Sequence, residues 1–277
     1  REEFNIVAPG DIRNCLVALA DAPALMGDLF QFRFSENSQL KGHNFGNLFL
    51  TVMVQLTGGD FEKAVKESSK VLAIRGKVVP ATVSNVHLIA EYADGTRTQG
   101  EAKIPRPNTK IKRLSLTLED CRPTQDALEA IQNADVIILG PGSLYTSVIP
   151  NVIIPGMSEA MLQSSAFKIY VCNVMTQHGE TDDYSASDHL RAIVDHSRPG
   201  IVDACLVNNG VAAEDMLSRY KSENSYPVKV DSDRIKEMNC RVVENDLLGA
   251  KDYVRHDSKK LTKALIQIIE KHRIIKR

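Results

Sequence analysis

The sequence predicts an α/β protein, a Rossmann-like three-layer fold with a parallel sheet at its core, joined by a helical cluster and an antiparallel hairpin. Three observations predict it. After Pro123, short apolar runs of strand length alternate with helix-period segments, the signature of βαβ units. Between residues 12 and 72, apolar residues recur at three- and four-residue spacing, which gives helices. Between these regions, Asp94-Gly95 separates two short runs, a turn that favours a hairpin.

In chain order, residues 12–25 mix apolar residues and alanine as a helix does, after Pro9-Gly10-Asp11, with Asp11 as the cap candidate. Phe45, Leu48, Phe49, Val52 and Leu56 form the stripe of a second helix, which Gly58-Gly59 stops. Asp60 opens a third, whose buried side carries Phe61, Ala64, Val65, Ser68, Val71 and Leu72. Residues 86–93 and 96–102 are the hairpin strands. A helix through 127–131 then leads to a strand at 135–139, a helix around 157–163, a strand at 168–173, a helix at 186–196 and a strand at 203–208. Such alternation makes a parallel sheet. A last helix starts near Ser258 and buries Leu261, Ala264, Leu265, Ile268 and Ile269. The whole of 1–277 reads as a single nucleotide-binding domain.

Composition narrows the function. Hydrophobic residues make up 43% and charged residues 25% of 277, ordinary globular usage. Lys and Arg number 34 against 35 Asp and Glu, so no global field draws the chain to nucleic acid or an anionic membrane, and any anion site must be local. The five cysteines form no CxxC pair or zinc-ligand spacing and read as reduced thiols of a cytoplasmic protein. No apolar run approaches the roughly 20 residues a membrane helix needs. The chain opens without Met, so the expected protein extends beyond it.

Four segments carry candidate ligand chemistry. The strand at 135–139 runs into Gly140-Pro141-Gly142-Ser143, with Thr146 and Ser147 following. Beyond the carboxyl end of a parallel strand, glycines admit a phosphate to the backbone and a helix N-terminus donates N–H groups. Gly140, Gly142, Ser143, Thr146 and Ser147 suit that role; a tight turn with helix-capping hydroxyls is the alternative. The segment is neither GxGxxG nor a P-loop. Asn173 and Thr176 follow the next strand, and two adjacent strand ends define a crevice. His43, Asn44 and Asn47 open the second helix, where capping competes with anion binding. Gly10, Asp11, Arg13 and Asn14 share one helical turn, where Arg13 suits a phosphate or an ordinary salt bridge. Arg255 precedes the last helix.

Taken together, PGDIRNCLVALA, GHNFGNLFL, SKVLAIRGKVVPAT, IKRLSL, ADVIILGPGSLYTSVIPN, VCNVMTQHGETDDYSASDHL and VRHDSKKL resemble the bacterial gluconeogenesis-factor (YvcK-like) family of the CofD-like, 2-phospho-L-lactate transferase superfamily, over essentially the whole chain. Members of that family begin with a Gly-rich strand-loop and an Asp-Asp-Gly-Gly segment that this sequence lacks. The resemblance implies binding of UDP-N-acetylglucosamine and a role in cell-wall precursor supply and cell shape during gluconeogenic growth. It matches Arg255 to the family arginine linked to UDP-sugar binding, Gly140 to Ser147 to its glycine-hydroxyl loop, and His43, Asn44, Asn47 and Asn173 to polar positions of the cleft.

Three functions are then in play. The first is a non-catalytic nucleotide-sugar sensor acting on an enzyme of amino-sugar synthesis. The second is a transferase that moves a phosphoryl-linked group, with Mg²⁺ neutralising a diphosphate. The third, an NAD-dependent oxidoreductase, is disfavoured by the missing GxGxxG, although such a cleft admits NAD itself. No catalytic triad or metal-ligand spacing stands out, and the expected assembly is a homo-oligomer without nucleic acid or membrane partners.

Overall fold

The computed structural model describes residues 10–21, 24–35, 37–106, 108–249 and 254–275. They group into two compact units: Arg1–Val86 with Cys121–Ala127, and His87–Asp120 with Leu128–Arg277.

The first unit is helical, with α1 (Gly10–Leu19), α2 (Ala24–Gln31), α3 (Phe45–Leu56) and α4 (Phe61–Val71) packed on one another. Leu16, Phe30, Leu50 and Leu72 form its buried centre, and the Phe30 ring meets Phe45 and Phe49 edge-on. The helix expected over 12–25 is two helices. Pro23, outside the described residues, lacks the N–H that would continue the first. Gly10 is already helical, so Asp11 lies inside the first turn instead of capping it, a position where its charge favours the helix dipole. The expected turn residue Pro9 lies outside the described residues. The caps of the next two helices are as expected: Asn44 Oδ1 accepts from Asn47 N at 3.1 Å and Asp60 Oδ1 from Lys63 N at 2.9 Å.

The second unit holds both sheets. Strands β1 (Leu88–Tyr92), β2 (Arg97–Gln99) and β3 (Ile111–Leu116) form an antiparallel sheet in the order β2-β1-β3. Asp94-Gly95 makes the hairpin turn, with Gly95 at φ 81° and Thr96 N and Oγ1 both bonded to Asp94 Oδ1. After α5 (Gln125–Gln132), strands β4 (Val136–Leu139), β5 (Phe167–Val171), β6 (Ala204–Asn208) and β7 (Arg241–Asn245) form a parallel sheet in the order β4-β5-β6-β7. Helices occupy every crossover: a π turn at Leu144–Val148, α6 (Ile149–Val152) and α7 (Met157–Gln163) before β5; α8 (Ala186–Asp195) before β6; α9 (Glu214–Ser222) and α10 (Ser232–Glu237) before β7.

Every residue of β5 is buried, as a strand covered on both faces must be. Phe167, Ile169 and Val171 on one face pack with Ala264 and Ile268 of α11 (Ser258–Ile275). The other face carries Tyr170, and Cys172 follows it beyond the strand. Cys172, Cys205 in β6 and Cys240 just before β7 are all buried free thiols. Burial pushes Cys172 and Cys240 up to about 12 and raises Cys205 as well. This is the Rossmann-like α/β core the sequence predicts, and among the described residues no helix is long and apolar enough to cross a membrane.

Candidate functional site

In the first unit, Arg13, Asn14, Asn44 and Asn47 come together. Arg13 is only 6% exposed, and its Nη1 donates to Asn47 Oδ1 at 3.0 Å and Nη2 to Asn14 Oδ1 at 2.8 Å. Burial pulls it below the ordinary arginine range, Arg33 adds to the effect and Asp11 opposes it. Two side-chain amides hold the Arg13 guanidinium, while its Nε is buried with no hydrogen-bond partner among the described residues. Gly46 leaves room for it, because a Cβ there would lie 2.8 Å from Arg13 Cδ and 2.7 Å from the Phe30 carbonyl oxygen. His43 is exposed. Its carbonyl accepts from Phe34 N.

In the second unit, Gly142, Ser143, Asn173, Thr176 and Arg255 line one cavity of about 700 Å³ beyond the carboxyl ends of β4 and β5. Gly140 adopts φ 82°, and a Cβ there would sit 3.1 Å from the Val171 carbonyl oxygen, so the loop packs tightly on the end of β5. The Ser143 hydroxyl does not cap the helical turn that follows. Instead it donates to Glu180 Oε2 at 2.7 Å, while Thr146 Oγ1 donates to Ser143 Oγ at 2.7 Å and lies 3.5 Å from Glu180 Oε1. The Tyr145 backbone N–H also favours the charged form of Glu180. The hydroxyl loop read from sequence as a turn or a phosphate cradle is therefore built around a carboxylate. Ser147 is tied into the turn through its backbone, its N–H donating to Ser143 O and its carbonyl accepting from Asn151 Nδ2.

Glu180 is the residue sequence reasoning missed. It is 6% exposed, and burial raises its carboxyl above the usual range against the opposing bonds from Ser143, Tyr145 and Thr146. A self-bonded turn holds it there. Glu180 N and Thr181 N donate to Gln177 O, Gln177 N donates to Thr181 Oγ1, and Asp182 takes Gly179 N at 2.7 Å and His178 Nδ1 at 2.9 Å. Gly179, at φ 81°, faces the Arg106 amide, which donates to Gly179 O. A lone acid in a loop of amides and hydroxyls has no spacing to mark it. Its one signal is its position, eight residues past Cys172 at the same sheet edge.

Thr176 is 4% exposed; its hydroxyl accepts from Tyr226 N at 2.9 Å and its carbonyl accepts from the Ser225 hydroxyl, so it braces the cavity wall. Asn173 Oδ1, Gln177 Oε1 and His256 Nε2 belong to lining residues and are buried with no hydrogen-bond partner among the described residues. Native proteins rarely leave such atoms unsatisfied, and a ligand is one way of satisfying them. Burial lowers the His256 pKa against an opposing effect of the Cys172 backbone, so its ring is neutral at pH 7. Among the described residues no three His, Cys, Asp or Glu side chains gather as a metal-binding group.

A Rossmann-like parallel sheet with a polar cavity at its strand ends, one wall a glycine-hydroxyl loop, places the chain in the class of open α/β proteins whose strand-end crevices are the usual place for ligands. The family profile described as "2-phospho-L-lactate transferase CofD" matches residues 1–248. The chain is 47% identical over 268 residues to the gluconeogenesis factor of Halalkalibacterium halodurans, covering 96% of this chain and 83% of that protein. It is 43% identical over 271 residues to the gluconeogenesis factor of Bacillus subtilis, covering 98% and 85%. An X-ray structure of a Bacillus halodurans protein superposes with a TM-score of 0.93 at 46% identity, covering 96% of this chain and 86% of that one. The chain belongs to the CofD family and, within it, to the gluconeogenesis factors.

Proposed function

We propose that the cavity beyond β4 and β5 binds a uridine nucleotide-sugar, UDP-N-acetylglucosamine, and that the bound protein regulates carbon flow into cell-wall precursors and cell shape during gluconeogenic growth, through an enzyme of amino-sugar synthesis. One observation carries the binding: a single cavity of about 700 Å³ gathers Gly142, Ser143, Asn173 and Arg255 from three separate loops. Its volume falls within the roughly 300–1,000 Å³ of small-molecule sites. Arg255 supplies a cation for a diphosphate, and the unpartnered Asn173 Oδ1 and Gln177 Oε1 suit the hydroxyl and amide donors of a sugar and a base. The gluconeogenesis factors among the relatives support the cellular role.

A transferase is the second reading, favoured by the description of the matching family profile. Titration calorimetry of the protein and of Arg255→Ala with UDP-N-acetylglucosamine, followed by analysis of the recovered ligand, separates the two. Binding that weakens by about tenfold or more in the variant, with ligand intact, fits the regulator. A converted ligand makes the protein an enzyme, and absence of binding removes the nucleotide-sugar assignment.

A further inference from the structure

The donors that the glycine-hydroxyl loop offers to the cavity are already committed to an anion belonging to the chain. Ser143 Oγ donates to the Glu180 carboxylate, Thr146 donates to Ser143, and the Tyr145 backbone amide also favours the charged carboxylate, so the loop's polar groups form one relay that ends on Glu180. Both Ser143 and Glu180 line the cavity. Two anions in one partly dry site do not share donors; one must lose its charge or leave. The turn from Gln177 to Asp182 is pinned by its own hydrogen bonds and by Arg106 N to Gly179 O, which disfavours departure.

We propose that Glu180 is a proton-linked gate on the ligand site: a phosphate group entering beside Ser143 takes over its hydroxyl and the Tyr145 amide, and Glu180 accepts a proton from solvent and stays in place as a neutral acid. This rests on the nucleotide-sugar reading and adds its regulation. The balance is simple. One proton moves from buffer to Glu180 Oε, no covalent bond to the ligand forms, and the new O–H can donate to Ser143 Oγ or to the phosphate. The raised carboxyl of Glu180 is in keeping with this. The charge of Glu101 also favours the neutral form of Glu180, and the Tyr145 hydroxyl is un-ionised. The other titratable groups lining the cavity are His178, paired with Asp182, His256, Tyr220, Glu223 and Arg255.

The test is calorimetry with UDP-N-acetylglucosamine at pH 8 in HEPES and in Tris, whose ionisation enthalpies differ, and affinities from pH 6 to 9. The diphosphate of a nucleotide-sugar has no ionisation in that range. Expected for the wild type is uptake approaching one proton per ligand, and an affinity that falls by up to about tenfold per pH unit above the Glu180 pKa. Glu180→Gln should bind with no linked proton and a flat profile. Ser143→Ala, which removes a donor to the carboxylate, should move the pH midpoint upward. Wild-type binding without proton uptake overturns the gate. Uptake that persists in Glu180→Gln assigns the proton to another group and overturns it equally. If neither protein binds at any pH, the nucleotide-sugar reading itself falls and the gate with it.

Discussion

Arg13 and Glu180 are charged groups drawn out of water, and in both cases neutral hydrogen-bonding groups meet the charge: Asn47 and Asn14 for the guanidinium, the Ser143 hydroxyl for the carboxylate. Such groups are costly to strip of a partner, because the other partner stays buried. Asn47→Leu should therefore destabilise by about 1–3 kcal/mol in urea unfolding, the usual penalty for an unsatisfied buried polar group. Glu180 makes a pH prediction whose sign follows from its raised pKa. The folded state holds the proton more tightly than the unfolded chain, so this contribution to stability is complete below the unfolded pKa and disappears as pH rises through the folded one. Glu180→Gln should melt higher than wild type at pH 8, with the gap closing toward pH 4; a gap that widens in acid would contradict the assignment. The sequence picks out Arg13 and Asn14 in one helical turn and Asn47 in another motif, but leaves open that they bond each other, since one turn of helix shows composition and hides the partner 34 residues away. It names Ser143 and Thr146 and misses the acid they serve.

Among the elements, those with strong periodicity and a capping residue were readable. The helices α3 and α4 begin at Asn44 and Asp60 as their sequences require, and α11 starts at Ser258. The edge strand β7 was not, because Arg241-Val242-Val243-Glu244-Asn245 is half exposed and carries only two apolar residues. For the same reason α9 and α10, short and mostly polar or charged, lack a stripe. Two substitutions test what the elements depend on. In α3, Gly46→Ala pushes a methyl into the Phe30 carbonyl and the Arg13 stem, and should cost about 1–3 kcal/mol where a helical Gly→Ala change in open space would stabilise. In α8, Ser185 and Asp188 form a capping box, with Ser185 N donating to Asp188 Oδ2 at 2.9 Å. Ser185→Ala should lose about 0.5–2 kcal/mol, read as a lower urea midpoint with an unchanged slope.

At the scale of the whole molecule, fold class and family were legible because the alternation after Pro123 and the spaced motifs each span long stretches, where local errors cancel. The parallel order β4-β5-β6-β7 brings the loops after β4 and β5 to one edge, which is why Gly142 and Asn173 line one cavity although 31 residues apart in sequence. The polar groups near the front of the chain belong to a different compact unit, and sequence alone gave no sign of that division.

The thiols beside the sheet follow from that architecture and make it chemically audible. Cys172, Cys205 and Cys240 lie buried at three neighbouring strands, and Cys121 is buried as well, whereas Cys15 is exposed on α1. A thiolate is the form that attacks a disulfide reagent, so four of the five sulfurs are silent until the fold opens. Mixed with a chromogenic disulfide, the native protein should release one equivalent of colour early and the remainder only at the pace of opening. The sheet thus carries a built-in clock for its own unfolding, readable without any label.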